Sequence, residues 1–145
     1  MPDYRRILAA IDLTEDSGQV IARARAIAAS TGARLQLLHV VEYVPVEPMG
    51  DALMPTLEIE ESLIKRARER LARLAADAGL GADDWFVEAG NIKSEIVRVA
   101  EAVDADLIVL GARERHGLAI LINFTEDTVL HAAPCDVLAV RLRKS

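Results

Sequence analysis

A single cysteine, Cys135, stands in 145 residues, so neither an intramolecular disulfide nor a cysteine metal cluster can form. That usage suits a reducing compartment, and the cytoplasm is the expected location. No apolar run approaches the roughly 18 residues that a membrane helix needs, and the opening Met1, Pro2, Asp3, Tyr4 leads into folded sequence without a signal-peptide apolar core. Neither export nor a membrane partner is expected. Basic residues are outnumbered, 17 against 23 acidic, and the formal charge of −6 repels phosphate backbones and anionic lipid. Nucleic acid is therefore not an expected partner.

The apparatus of catalysis is equally sparse. None of Ser17, Ser30, Ser62, Ser94 and Ser145 sits in the Gly-x-Ser-x-Gly turn that presents a nucleophile between strand and helix. The three histidines, His39, His116 and His131, lack the i, i+4 spacing of a helical zinc site. His39, at the end of an inner strand, reads as structural, and Cys135, directly after Pro134, reads as a small packing residue. Lys65, Lys93 and Lys144 lack the glycine-rich run that cradles phosphates in a Walker-type loop. No catalytic residue and no metal are expected.

What is present is the size and balance of one globular domain, spanning 1–145, with 52% apolar and 28% charged residues. Five short runs rich in Ile, Val and Leu alternate with helical patterns, the signature of an α/β parallel sheet. The strands are expected at 6–12, 34–41, 84–88, 106–110 and 136–142, the last running from Asp136 to Leu142. The first helix has Ser17 available as a cap and Gly32 placed to stop it. Pro45, Pro48, Gly50 and Pro55 mark 42–55 as a long loop, expected to be the most mobile stretch.

After that loop Thr56 can cap the longest helix, on which Leu63, Ile64, Ala67, Leu71, Leu74, Ala75 and Ala78 form one apolar stripe. Its arginines, Arg66, Arg68, Arg70 and Arg73, interleave with Glu69 and Asp77 as a solvated, salt-bridged face. A further helix is expected over 92–103, and Gly111 is expected to end the fourth strand. A loop over 111–122 then passes into a short last helix that Pro134 terminates.

Two positions carry a functional suggestion. Asp12 and Gly111 end the first and fourth strands, which meet at the switch point of a doubly wound sheet, where ligands bind. A carboxylate there can accept hydrogen bonds from a ribose, and a glycine there lets a loop approach phosphate. Asp12 can equally cap the turn before the first helix.

The segments Ile7 to Asp12, Leu37 to Val40, Ala105 to Gly111 and Ala133 to Val140, with His116-Gly117-Leu118-Ala119 between the last two, resemble the universal stress protein family in order and spacing. The resemblance implies a flavodoxin-like five-stranded parallel sheet, order 3-2-1-4-5, with helices on both faces and a homodimer joined through the last strand. In nucleotide-binding members ATP lies between the strand-one aspartate and a loop of the form Gly-x-x-Gly, then eight or nine residues, then Gly-Ser or Gly-Thr. The crevice positions implied here are Ala10, Asp12, Val40, Leu110 and Gly111.

The loop departs from that form. Gly111 matches the first glycine, but Glu114 replaces the second, and Asn123 and Phe124 fall on the Gly-Ser pair. Side chains there close the space that backbone amides need around phosphate, and Glu114 adds like charge. The family also has a branch without the nucleotide motif that acts through dimers and protein contacts. The expectation is a non-catalytic, dimeric stress-response protein without a cofactor and with protein partners unknown; the alternative is an ATP-binding member using the same crevice.

Overall fold

The computed structural model describes residues 3–42, 53–112, 129 and 131–143. Five strands, β1 (Arg6–Ala10), β2 (Arg34–Glu42), β3 (Trp85–Gly90), β4 (Leu107–Ala112) and β5 (Asp136–Arg141), form one sheet in the order β3-β2-β1-β4-β5. Every pairing is parallel, with Ile7 beside Leu35 on one side and beside Leu107 on the other. The fold class and strand order are those expected. Among the described residues, helices α1 (Ser17–Thr31), α2 (Leu53–Asp77) and α3 (Ile92–Ala102) connect β1 to β2, β2 to β3 and β3 to β4.

Alternation along each strand divides the core into two layers. Ile7, Ala9, Leu37, Val109 and Val140 face one way and pack on Val20, Ile21 and Ala24 of α1 and on Ala67, Leu71 and Ala75 of α2. Leu8, Leu38, Val40, Ile108 and Leu110 face the other way, onto Ile96, Val99 and Ala100 of α3 and Val129. Both faces of the inner strands are covered, which explains their nearly continuous apolar runs.

Several boundaries differ from the sequence expectation, for physical reasons. Ser17 is the first buried residue of α1 and not its cap; Asp16 precedes the helix and makes no capping bond from its side chain. At the other end Gly32 adopts φ 76° and its N–H donates to Ala28 at 2.8 Å, the left-handed stop its lack of a Cβ permits. The helix expected after a Thr56 cap begins at Leu53, so that Pro55 falls in the first turn, where a backbone N–H would have no partner within the helix. Helix α3 carries an unanticipated cap, the Asn91 side chain accepting from the Ser94 N–H at 3.0 Å.

Strand β4 runs through Gly111 to Ala112 instead of stopping at the glycine, because Gly111 and Ala112 pair with Val140 and Arg141 of β5. Most of the expected 42–55 and 111–122 loops and most of the expected last helix lie outside the described residues; Val129, His131 and Ala132 are helical before Pro134. The arginine face of α2 also needs correction. Among the described residues no salt bridge joins an α2 arginine to Glu69 or Asp77; those of Arg6, Arg34 and Arg98 lie elsewhere. Ordering two long exposed side chains costs about what such a pair gains. Leu63, expected in the apolar stripe, is 47% exposed, at the edge of the stripe that Ala67, Leu71 and Ala75 bury.

Candidate functional site

At the carboxyl ends of β1, β2 and β4 the sheet opens into a crevice of about 300 Å³. Its position follows from the strand order: β1 passes outward to β2 on one side and lies against β4 on the other, so the connections diverge above it. Ala10, Asp12, Val40, Leu110 and Gly111, the five crevice positions implied by the resemblance, all line it. Val20, His39 and Leu142 line it as well, with Ile92 and Ile96 of α3.

Asp12 is exposed at the mouth, and its environment answers the question left open by the sequence. Its Oδ1 accepts from the Thr14 N–H at 3.1 Å, from the Thr14 hydroxyl at 2.8 Å and from the Ser17 hydroxyl at 3.4 Å. One carboxylate oxygen therefore organises the turn into α1 while the residue also lines the crevice. Between Asp12 and Thr14 the buried Leu13 has φ 60°, a left-handed conformation costing an L residue about 1–3 kcal/mol. Core burial of its side chain and the Asp12 bonds to the following residue hold that turn.

His39 was read as structural, and its bond agrees. Its Nδ1 lies 2.6 Å from the Ile11 carbonyl; since a carbonyl only accepts, Nδ1 carries the proton and donates. The Ile11 N–H in turn donates to the Leu38 carbonyl at 2.7 Å. Chain pairing thus continues past the end of β1 and fixes the residue next to Asp12.

Gly111 has a close-approach role that its sequence position did not disclose. A Cβ built there would lie 3.0 Å from Leu142 Cδ1 and 3.2 Å from Val20 Cγ2. The glycine is explained by side-chain packing between β4, α1 and the end of β5. Val20 and Leu142 were missed as crevice residues because their apolar periodicity marks only a buried side. Glu114, Asn123 and Phe124, the altered loop positions, lie outside the described residues.

Away from the crevice, Cys135 is half-buried, and burial first, then the Asp136 and Asp106 charges, push its thiol above the usual range. That setting disfavours the thiolate and suits the packing role expected. Among the described residues no group of three His, Cys, Asp or Glu side chains could hold a metal, and no helix is long and apolar enough to cross a membrane.

Comparison with known proteins places this geometry. The model of the universal stress protein family matches residues 3–141. Universal stress protein A homolog 1 of Coxiella burnetii is 37% identical over 142 residues, covering 97% of this chain and 99% of that protein. The structure of universal stress protein UspA from Lactobacillus plantarum superposes with a TM-score of 0.79 at 26% identity, covering 97% of this chain and 100% of that one. A universal stress protein solved in complex with cAMP shares the fold, with a TM-score of 0.59 at 24% identity over 96% of this chain and 98% of that one. With a family match over nearly its whole length and a full-length relative above a third identical, the chain belongs to the universal stress protein family.

Proposed function

We propose that the chain is a single universal stress protein domain that acts in the cytoplasm as a non-catalytic, homodimeric stress-response protein, working through protein contacts and binding ATP weakly or not at all. The observation that carries this reading is chemical: Glu114, Asn123 and Phe124 occupy positions where a phosphate-binding loop of the family has glycine, glycine and a hydroxyl. Two features of the crevice support it. The close packing of Leu142 and Val20 accounts for Gly111 without a phosphate, and Asp12 Oδ1 is already engaged by its own turn.

Dimerisation is supported by β5, which ends the sheet and presents open backbone groups along with the half-buried Val137 and the exposed Ala139. A second reading, an ATP-binding member of the family, draws on the gathering of Ala10, Asp12, Val40, Leu110 and Gly111 around one crevice and on the cAMP complex of the related protein.

Calorimetry decides between them. The natural protein is titrated with ATP and with cAMP beside a variant carrying Glu114→Gly, Asn123→Gly and Phe124→Ser, after melting curves establish that both are folded. The expected result is a gain of at least about tenfold in ATP affinity in the variant, equivalent to about 1.4 kcal/mol. Low-micromolar ATP binding by the natural protein, or no gain in the variant, replaces the first reading with the second.

A further inference from the structure

The two side chains against Gly111 are held in different ways. Val20 is 4% exposed and sits inside the core on α1, so it is a fixed wall. Leu142 is half-buried, lies one residue beyond β5 and is held through its backbone. Its N–H donates to the Ala112 carbonyl at 3.1 Å. The next residue is clamped at two points by the Gln19 amide: Oε1 accepts from the Arg143 N–H at 3.0 Å, and Nε2 donates to the Arg143 carbonyl at 2.8 Å. Nε2 is also 3.3 Å from Asp16 Oδ1, in the turn that carries Asp12.

Gln19 thus imitates a strand neighbour for the chain leaving β5 and seats Leu142 over Gly111. A crevice of about 300 Å³ lies at the lower limit for a small-molecule pocket, so the volume of one side chain decides what enters. We propose that Leu142 sets the size of ligand the crevice accepts and that Gln19 is the positioning residue that holds it in place. The proposal rests on reading this crevice as a ligand site whose ATP affinity is low, and it assigns part of that low affinity to a side chain outside the altered loop. The ligand class is a nucleoside-sized ring with an apolar face, able to lie against Ala10, Val40 and Ile92 and donate to the Asp12 carboxylate.

The test uses adenosine, which lacks phosphate and so does not probe the loop. Leu142→Ala is expected to raise adenosine affinity at least about tenfold, as a methylene's worth of room in an apolar pocket is worth roughly 10–200-fold. Gln19→Ala releases the clamp, and in that background the same trimming is expected to change affinity by less than about twofold, a non-additivity that marks positioning. A merely structural role for Gln19 would lower the melting temperature and leave the effect of trimming intact.

A folded Leu142→Ala protein within about twofold of the natural one overturns the assignment of Leu142, and equal gains in both backgrounds overturn that of Gln19. Should Leu142→Ala not fold, methyl NMR of the natural protein replaces it: Leu142 methyl signals that stay fixed as adenosine is added to millimolar concentration overturn the proposal. Tight ATP binding by the natural protein would overturn the weak-binding reading and the share of low affinity assigned to Leu142, while the positioning of Leu142 by Gln19 is decided separately by the adenosine comparison between variants.

Discussion

His39 and Ile11 are joined by a 2.6 Å hydrogen bond from an imidazole to a main-chain carbonyl, beyond the last paired residue of β1. The bond replaces a ladder contact where the chain leaves the sheet, one residue before the carboxylate at the crevice mouth. His39→Ala leaves the Ile11 carbonyl without that donor, and the expected loss is about 1–3 kcal/mol. Urea unfolding should show a lowered midpoint with an unchanged slope, since the surface exposed on unfolding is nearly the same. An unchanged midpoint would show that water satisfies the carbonyl fully.

Gly111→Ala tests the packing between β4 and the chain end. The new methyl would meet Leu142 Cδ1 at 3.0 Å and Val20 Cγ2 at 3.2 Å. Val20 is fixed in the core and resists, but the nearer leucine atom is the end of a flexible side chain that can give way, so the cost should lie near the lower end of the about 1–3 kcal/mol typical of overpacking. Thermal melts should show the loss, and Leu142→Ala should recover part of it when the two are combined. A combined loss equal to the sum of the two single losses would refute the contact.

Much of the fold is legible in the residues themselves, since the five apolar runs are five strands and strand order followed from the family resemblance. Asp12 and Gly111 could be found because strand ends at a switch point form a position defined by topology. Val20 and Leu142 could not, because an apolar residue facing a crevice has the same periodicity as one facing a filled core. Gln19 was also silent: a polar residue on a helix surface gains its role only when the end of β5, far along the chain, comes beside it. Helix ends failed where tertiary contacts outweighed capping residues, as at Ser17, which lies buried beside the Asp12 turn.

Glu95 gives a pH dependence of known sign. Its carboxyl is held below the usual range chiefly by hydrogen bonds from Arg98, at 2.9 and 2.8 Å. A depressed carboxylate contributes stability that is present above its unfolded value, about 4.3, and is lost as pH falls through the lower folded value. Arg98 is half exposed, so solvent screening keeps the contribution small. Arg98→Ala should therefore be slightly less stable than the natural protein at pH 7, and the gap should close progressively as pH falls from about 4.3 through the lower folded value in denaturant titrations. A gap that widens in acid would reverse the sign and reject the assignment.

The proposed dimer is best tested at Ala139, for a reason the structure supplies. Val140 is the more apolar residue of the two, yet it is 8% exposed within one subunit and packs into the core on the face covered by α1. A carboxylate at Val140 would be buried without a partner and should cost several kcal/mol of folding stability, so loss of a dimer there would say nothing about the interface. Ala139 points to the opposite face, is exposed, and pairs by register with Leu110 on the inner side of β5. Ala139→Glu adds charge at the sheet edge without disturbing either core layer. Two apposed edges would bring like charges together near the dimer axis, and edge charges of this kind block strand-to-strand association. Light scattering at micromolar concentration is expected to give twice 15.8 kDa for the natural protein and 15.8 kDa for Ala139→Glu, with similar melting curves measured after dilution below the dimer range. A natural protein that scatters as a monomer removes the dimer from the proposed function. A dimeric Ala139→Glu protein moves the interface away from the β5 edge.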